Sequence, residues 1–284
     1  MPPEPGTEVF EAQRPRLLRL AYRMLGSQQD AEDMVQEAWL RWHRADRDEV
    51  LESAAWLTRV VSRLCLDQMK SARTRRETYP GTWLPEPLIE AEDDALRADN
   101  LTLTLMMALE RLSPLERAAF LLHDVFGQPM EEVAATIERS LAATRQLASR
   151  ARAHVRVDRP RHEIPPARLD ALTRGFFEAC QSGDAATLAA MLAADVSVHS
   201  DGGGKVRSFN VIWGADQVGR MFLGLARKFG PIELESFVTI DGLPGFVARV
   251  GGMLQTTALE FSGERIATIY ITRNPDKLAR TIRH

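Results

Sequence analysis

The sequence predicts a multidomain protein in which two all-α domains precede an α+β domain. Apolar residues recur at helical spacing from about residue 16 to residue 155. Prolines at positions 160, 165 and 166 then mark a boundary, and alternating apolar and polar segments follow from residue 196. A chain of 284 residues is long enough for two or three such domains.

The composition is that of a globular protein, with 45% hydrophobic and 26% charged residues. No apolar run approaches the ~20 residues that a membrane-spanning helix needs, and the N-terminus carries no signal-peptide pattern. We therefore expect a cytoplasmic protein without membrane contact. Cys65 and Cys180 lie in apolar patterns without a CxxC, so we expect reduced core cysteines and neither a metal nor a cofactor.

Two helices are predicted first, over residues 16–25 and 30–42, with Gly26 ending the first and Ser27 capping the second. The second helix buries one apolar face. The rest of its surface carries two carboxylates, an amide and a leucine: Asp33, Gln36, Glu37 and Leu40. An ordinary solvated face is the simplest interpretation of these residues taken alone.

The third predicted helix begins near Trp56 and carries a dense positive stripe. Its candidate DNA-binding residues are Trp56, Arg59, Arg63, Lys70 and Arg73. Such a stripe, with an aromatic residue at its head, fits contact with nucleic-acid phosphates. A charge run on a surface helix often serves solubility alone, so this interpretation stays open too.

A rigid segment follows, which we call the 83–87 strip: Trp83, Leu84, Pro85, Glu86 and Pro87. Two prolines in three residues fix φ near −65° and keep the preceding residues out of the α region, so the strip is predicted to be extended. A stiff linker with a partly buried tryptophan is one interpretation. We favour the other, in which the strip docks on another domain.

The second helical domain ends in a predicted helix-turn-helix. A helix over 95–112 precedes a capping box at Ser113 and Glu116, a short helix over 130–137 and a final helix capped by Ser140. Ala143, Leu147, Ala151 and Val155 form the predicted buried stripe of that final helix. The candidates for base and phosphate contacts on this helix and at its start are Ser140, Thr144, Arg145, Gln146, Ser149, Arg150 and Arg152. A helical hairpin with a basic face is the alternative.

The last domain is predicted as helices over 167–181, 185–193 and 214–228, with strands near 196–199, 208–213, 232–240, 246–250, 254–261 and 265–272. His199 and Asp201 are candidates for an acid/base pair, although a structural histidine is the commoner case. The glycines after Asp201 lack the spacing of a phosphate-binding loop, so a flexible turn presenting Lys205 is expected. Asn274 and Pro275 predict a turn that leaves Asp276 and Lys277 exposed.

Residues 30–42, 55–67 and the helix-turn-helix resemble those of small extracytoplasmic-function sigma factors. Residues 167–284 resemble a SnoaL-like domain of the nuclear-transport-factor-like cone fold, a combination similar to the sigma-J type subfamily. Besides the 83–87 strip, two motifs of that subfamily are present. They are Asp201, Gly202, Gly203, Gly204 and Lys205, and then Asn274, Pro275, Asp276, Lys277 and Leu278.

The resemblance implies sigma region 2 over 1–78, a linker over 79–98, region 4 over 99–160 and a regulatory domain over 167–284. It implies that the Asp33 face docks on the clamp coiled coil of the largest subunit of core RNA polymerase. The helix from Trp56 would open and read the upstream-proximal promoter element, and the helix from Ser140 would read the element near position minus thirty-five. Glu138 departs from the family, whose members usually have glycine in this turn.

Sigma factors are not catalysts, so we expect no enzymatic activity. We expect the three motifs to meet, holding the two DNA-binding domains compact and setting access to polymerase. Two other classes stay open: a ligand-sensing helix-turn-helix regulator that does not join polymerase, and a SnoaL-type enzyme with a DNA-binding head. The sequence also leaves open a small-molecule ligand of the last domain.

Overall fold

The computed structural model describes residues 6–46, 50–77, 79–89, 102–156 and 164–281, with residues 71–77, 156, 280 and 281 described by their backbone alone. The chain divides into two compact units. The helical unit comprises Met1–Glu77, Asp93–Asp99 and Leu105–Asp158, and the sheet unit comprises Thr78–Glu92, Asn100–Thr104 and Arg159–His284. The linker segment before residue 90 therefore belongs to the sheet unit.

The described part of the helical unit contains seven helices, of which the fourth begins two residues before the unit does. They are α1 (Thr7–Leu25), α2 (Gln28–Arg44), α3 (Ser53–Glu77), α4 (Leu103–Glu110), α5 (Pro114–Phe120, continued by a π-helical turn over Leu121–Val125), α6 (Met130–Ile137) and α7 (Leu141–Arg156). The buried residues of α2 are those that the periodicity predicted: Ala31, Val35, Ala38 and Trp42. The part of the predicted 95–112 helix before residue 102 lies outside the described residues.

Local capping determines where these helices begin and end. Gly26 ends α1 with φ 67°, and the Ser27 side chain accepts a hydrogen bond from the Asp30 amide at the start of α2. At α5, Ser113 and Glu116 form the predicted capping box, in which Glu116 accepts from the Ser113 amide at 3.0 Å. No helix of the described chain is long and apolar enough to cross a membrane.

Replacing Ser113 with alanine is expected to lower the free energy of unfolding by about 1 kcal/mol at pH 7. Burial raises the pKa of Glu116, but hydrogen bonds from Ser113 outweigh it and hold this pKa below its usual range. The stabilisation is therefore present above the unfolded pKa of about 4.3 and lost as the pH falls through the lower folded value.

Urea unfolding at pH 7 and in acid will test this. The difference in free energy of unfolding between wild type and Ser113→Ala should shrink in acid. An equal gap at both pH values would contradict it, and Ser149→Ala, mid-helix and exposed, is the control.

The described part of the sheet unit contains four helices and one six-stranded sheet. They are α8 (Pro166–Ser182), α9 (Ala185–Met191), β1 (Leu192–Asp201), β2 (Ile212–Trp213), α10 (Ala215–Phe229), β3 (Glu233–Ile240), β4 (Leu243–Val250), β5 (Met253–Ser262), β6 (Arg265–Thr272) and α11 (Pro275–Thr281). The strand order is β2-β1-β6-β5-β4-β3, and β1 and β6 run parallel while the other pairs are antiparallel. The predicted fold class, two all-α domains before an α+β domain, is confirmed.

The core of the sheet unit lies between α8, α9, α10 and one face of the sheet. Phe176 and Phe222 meet edge to face, with ring centroids 5.2 Å apart, over the apolar residues of β1, β4, β5 and β6. Cys180 lies in this core and Cys65 in the core of the helical unit, both as free thiols. Burial raises the pKa of both thiols, which leaves them protonated and unreactive.

The structure differs from the prediction in three elements of this unit. The predicted 208–213 strand pairs only over Ile212–Trp213, and β1 begins at Leu192, where a helix was expected to continue. Helix α11 was not predicted, because Asn274-Pro275 was interpreted as a turn. In fact Pro275 takes the first helical position, where a missing N–H costs nothing, and Asn274 accepts a hydrogen bond from the Asp276 amide.

Candidate functional site

The predicted polymerase-binding residues lie on the outward side of α2. Asp33 and Gln36 are exposed, and Leu40 is 41% exposed. Glu37 accepts a hydrogen bond from Arg41 Nε at 2.9 Å. The helix thus presents carboxylates around one large apolar side chain, on the side opposite its buried face.

The basic stripe of α3 is present, and its members differ in their contacts. Arg59 is exposed, and Lys70 is exposed and pairs with Asp67 at 2.7 Å. Trp56 is half-buried and packs on Trp42, with ring centroids 5.5 Å apart. The side chain of Arg73 lies outside the described residues.

Arg63 of α3 contacts the end of the first helix of the helix-turn-helix. Its guanidinium donates to the carbonyl oxygens of Ala135 at 3.1 Å and Thr136 at 3.2 Å. It also pairs with Glu138 Oε1 at 3.1 Å. The two carbonyls belong to the last turn of α6, so Arg63 caps that helix with a positive charge. These contacts engage Nε and Nη2 of a side chain that is still 44% exposed.

Glu138, which stands where the family usually has glycine, adopts the left-handed conformation, with φ 56°. It follows the last residue of α6, and its amide donates to the Ala134 carbonyl as a C-terminal cap. Glycine takes this conformation without a steric penalty, whereas glutamate is strained there.

Helix α7 exposes most of the residues predicted to contact DNA. Arg145, Gln146, Ser149 and Arg150 are exposed together along one side. Ser140 accepts a hydrogen bond from the Ala143 amide at 3.2 Å, which confirms its capping role. Arg152 is half-buried and donates to Asp124 Oδ1 at 2.7 Å.

The prediction for Thr144 was wrong. Its side chain is buried, and its hydroxyl donates to the Ser140 carbonyl at 3.0 Å. The buried stripe of α7 is Thr144, Ala148, Ala151 and Val155. A stripe with steps of four, three and four residues follows the 3.6-residue turn, whereas the predicted stripe of every fourth residue drifts around the helix.

In the sheet unit, a buried network joins the 83–87 strip to the other two motifs. Asp201 Oδ1 accepts from the Tyr79 hydroxyl at 2.6 Å and the Gly203 amide at 2.9 Å. Asp201 Oδ2 accepts from the Leu84 amide at 3.0 Å and from Lys277 Nζ at 2.7 Å. Lys277 Nζ also donates to the Leu84 carbonyl. Both sides of the Leu84 backbone are therefore held by one ion pair.

The predicted exposure of Lys277 was wrong. Its side chain is 9% exposed and that of Asp201 is fully buried. The ammonium lies 4.4 Å from the Trp83 ring centroid and 5.2 Å from that of Tyr79. Because residue 277 lies in the first turn of α11, its side chain is carried beneath the strip instead of into solvent. Charge, hydrogen bonds and two aromatic faces together compensate for its burial.

The rest of the strip is packed as well. Leu84 is fully buried, Pro85 and Pro87 are buried, and Trp83 and Glu86 are half-buried. In α11, Pro275 and Asp276 are exposed while Leu278 is buried. Burial and the hydrogen bond to Asp201 raise the pKa of Tyr79, so its phenol stays protonated as a donor.

The glycines after Asp201 permit close approach between the motifs. A Cβ on Gly203, at φ 62°, would overlap the side chain of Asn274, and one on Gly204, at φ 71°, would lie 2.6 Å from Pro80. A Cβ on Gly202 would overlap the Val206 carbonyl. Glycine is therefore required at these three positions, because a side chain there would collide with Asn274, Pro80 or the turn's own backbone. It presents Lys205 at the surface, where it pairs with Asp276 at 2.7 Å.

A second anchor for the linker, Asp241, was not predicted. Asp241 Oδ2 accepts from the Leu88 amide at 3.1 Å, and the Asp241 amide donates to the Leu88 carbonyl at 2.9 Å. The Asp241 carbonyl accepts from the Leu103 amide at 2.8 Å. Asp241-Gly242 is readable from the sequence as a hairpin turn between β3 and β4, but nothing local indicates that it binds the linker on both sides of residues 90–101.

The two members of the candidate acid/base pair, His199 and Asp201, have separate hydrogen-bond partners. His199 Nε2 lies 3.1 Å from Ser197 Oγ, and its ring stacks on Tyr270 with centroids 5.5 Å apart. Both oxygens of Asp201 are occupied by the network described above. Asp201 therefore binds a segment of the linker.

Two family models match the helical part of the chain. The model of Sigma-70 region 2 matches residues 9–75, and that of Sigma-70, region 4 matches residues 102–155. The first includes the carboxylate face of α2 and the basic helix α3, and the second includes the helix-turn-helix. These features define a sigma-70-type transcription factor.

Relatives match almost the whole chain. The ECF RNA polymerase sigma factor SigJ of Mycobacterium tuberculosis is 39% identical over 94% of this chain and 91% of its own length. The probable sigma factor SigI of the same species is 36% identical over 97% and 95%. The crystal structure of SigJ superposes with a TM-score of 0.79, covering 96% of this chain and 98% of that one at 36% identity. The chain belongs to the extracytoplasmic-function RNA polymerase sigma factors.

Proposed function

We propose that this chain joins core RNA polymerase and directs it to promoters, and that its C-terminal domain regulates this step by binding the linker between the two DNA-binding domains. The buried Asp201–Lys277 pair on the Leu84 backbone is the observation that carries the regulatory part. The phosphodiester chemistry belongs to the polymerase, so this chain contributes binding, not catalysis. Its place of action is the cytoplasm, with the polymerase.

The exposed surfaces of the helical unit support the polymerase and promoter parts. The Asp33 face of α2 offers carboxylates and Leu40 to the clamp coiled coil. The side chains of α3 and α7 offer positive charge for phosphates and, at Gln146 and Arg150, groups that can read base edges. Phosphate contacts would set the position of the protein, and base contacts would set the promoter sequence.

Anchoring of the linker supports a regulatory role. A free linker over residues 78–102 would reach roughly 85 Å when extended. Here Tyr79 and Leu84 are bound at Asp201, and Leu88 and Leu103 are both bound at Asp241. The distance that the linker can span is then set by its contacts with the C-terminal domain. Release of the 83–87 strip would allow the two DNA-binding domains to adopt the separation that a promoter requires.

The contacts of Arg63 support the same conclusion. In this conformation Arg63 caps α6, within the domain that carries the helix-turn-helix. Binding of a promoter phosphate by Nε or Nη2 of Arg63 would compete with that cap. We infer a closed state in which two nitrogen atoms of a candidate DNA-binding side chain are used for an internal contact.

The test is promoter-specific run-off transcription with bacterial core polymerase. We expect transcripts with the wild-type chain, and we expect core binding to fall at least tenfold for Asp33→Lys combined with Glu37→Lys. Asp170→Lys combined with Glu178→Lys, two exposed residues of α8, is the charge-matched control. Absence of promoter-specific transcripts would favour the ligand-sensing regulator or the SnoaL-type enzyme instead.

A further inference from the structure

One arginine of the helix-turn-helix is held by a carboxylate from outside its own helix. Arg152 of α7 donates from Nε to Asp124 Oδ1 at 2.7 Å. Asp124 lies in the π-helical turn that continues α5. The two side chains are 35% and 25% exposed, so the pair is partly withdrawn from solvent. A charge-assisted hydrogen bond in this setting restricts the motion of the guanidinium.

The turn that carries the carboxylate is itself fixed. The Phe126 amide donates to the Leu121 carbonyl, five residues back, at 2.9 Å. The Gln128 amide donates to the Leu122 carbonyl at 2.9 Å, and the Gln128 carbonyl lies 2.8 Å from His123 Nδ1. A π-helical turn holds one more residue than an α-helical turn, which changes the direction of the side chains that follow. The carboxylate therefore approaches α7 from a firmly held piece of backbone.

The contact leaves the outer part of the guanidinium unused. Among the residues that the structure describes, neither Nη1 nor Nη2 of Arg152 has a hydrogen-bond partner, and neither belongs to the buried polar atoms that lack one. Both nitrogens are therefore accessible from solvent. The pair of Arg168 and Glu264 differs, because there the carboxylate occupies both Nε and Nη2. Asp124 thus orients Arg152 through one nitrogen and leaves two available.

Arg152 lies on the side of α7 that carries exposed candidates for DNA contact. Positions 145, 149 and 152 are separated by four and then three residues, which places them on one helix face. Arg145 and Ser149 on that face are exposed. Arg152 lies about 10 Å beyond Arg145 along the helix axis. Because the N-terminal residues of a recognition helix contact the bases, a group this far along the helix is placed for the phosphate backbone.

We propose that Asp124 is a positioning residue, which fixes the Arg152 guanidinium so that Nη1 and Nη2 can bind one phosphate of promoter DNA. The inference rests on the proposed promoter binding and adds to it a residue that does not itself contact DNA. An arginine that is fixed beforehand loses less rotamer freedom when its contact forms. Since phosphate contacts set the register of a protein on the duplex, a fixed Arg152 also helps to place the base-contacting residues of α7.

A double-mutant cycle distinguishes positioning from simple neutralisation of Arg152 by Asp124. The affinity for a promoter fragment that supports run-off transcription is measured with holoenzyme containing the full-length wild type, Asp124→Ala, Arg152→Ala or the double variant. With Arg152 present, Asp124→Ala should weaken binding about fivefold, because the guanidinium is no longer held. With Arg152 replaced, the same change should strengthen binding about twofold, because only repulsion between the carboxylate and DNA remains. Neutralisation predicts stronger binding in both cases.

Glu131→Ala is the matched control. Glu131 also faces an arginine of α7, but its contact with Arg145 is 3.9 Å long and both side chains are well exposed. Its removal deletes one carboxylate from the same domain without releasing a fixed guanidinium. We expect Glu131→Ala to strengthen promoter binding about twofold, whether Arg152 is present or replaced.

A second measurement does not depend on transcription. The Arg152 Nε–H signal of the full-length, ¹⁵N-labelled protein, assigned by its loss in Arg152→Ala, should exchange with water about tenfold more slowly in wild type than in Asp124→Ala. Equal exchange would overturn the proposal. So would promoter binding by Asp124→Ala that is as tight as that of wild type, or tighter. If the wild-type holoenzyme bound no promoter specifically, the proposed function itself would fail, and this inference with it.

Discussion

Replacing Lys277 with methionine will lower the free energy of unfolding of the sheet unit by about 3–5 kcal/mol. Methionine preserves most of the side-chain volume but removes the ammonium that pairs with Asp201 at 2.7 Å. The Asp201 carboxylate is fully buried, so it would be left as a charge without a cation. The Leu84 carbonyl would lose the same donor. Urea unfolding followed by circular dichroism measures the loss.

Lys205→Met is the matched control. Lys205 also pairs with an aspartate at 2.7 Å, but its side chain is 57% exposed, and an exposed pair contributes at most about 1 kcal/mol. Hydrogen exchange of residues 79–89 gives a second measurement, because the Leu84 amide donates to Asp201. Lys277→Met should accelerate it, and Lys205→Met should not. Equal effects of the two substitutions would show that burial of the pair is unimportant.

Replacing Arg117 with methionine will destabilise the helical unit by a similar amount, about 3–5 kcal/mol. Arg117 is 2% exposed and pairs with Glu110 at 2.7 Å. It also donates to the carbonyls of Leu109 at 2.9 Å and Met24 at 2.8 Å. Those carbonyls lie in the last turns of α4 and α1, so one guanidinium caps two helices, one in each of the two sigma regions.

Arg14→Met provides the comparison for Arg117. Arg14 lies on α1 and forms an exposed pair with Glu11 at 3.6 Å, so its loss should cost less than about 1 kcal/mol. Arg117→Lys should recover only part of the stability, since an ammonium cannot reach both carbonyls and the carboxylate in the fork geometry. A full recovery by lysine would show that charge alone matters at this position.

Much of the fold could be predicted from short stretches of sequence. The buried face of α2, the Ser27 cap and the Ser113–Glu116 capping box all follow from interactions within a few residues. Where two local patterns compete, the prediction failed. Asn274-Pro275 suits both a turn and a helix start, and the stripe of α7 differs by one position between two periodicities.

The residues of the candidate site also fall into those that could be predicted from the sequence and those that could not. The exposed residues of α2, α3 and α7 were identified from their helical positions, since a residue's face depends on its own helix. The burial of Thr144 required the neighbouring helices to be in place. The anchor at Asp241 required β3 and β4 to meet the linker, which no local pattern encodes.

The sequence by itself determined the order of the domains, the faces of the helices and the motifs that identify the sigma family, because each depends on residues close together in the chain. Only the tertiary structure decided that Lys277 is buried with Asp201 beneath the 83–87 strip. The partners of Lys277 lie 76 and 193 residues away. Contacts over such separations arise from the packing of whole elements, and packing alone sets whether a lysine is exposed or buried.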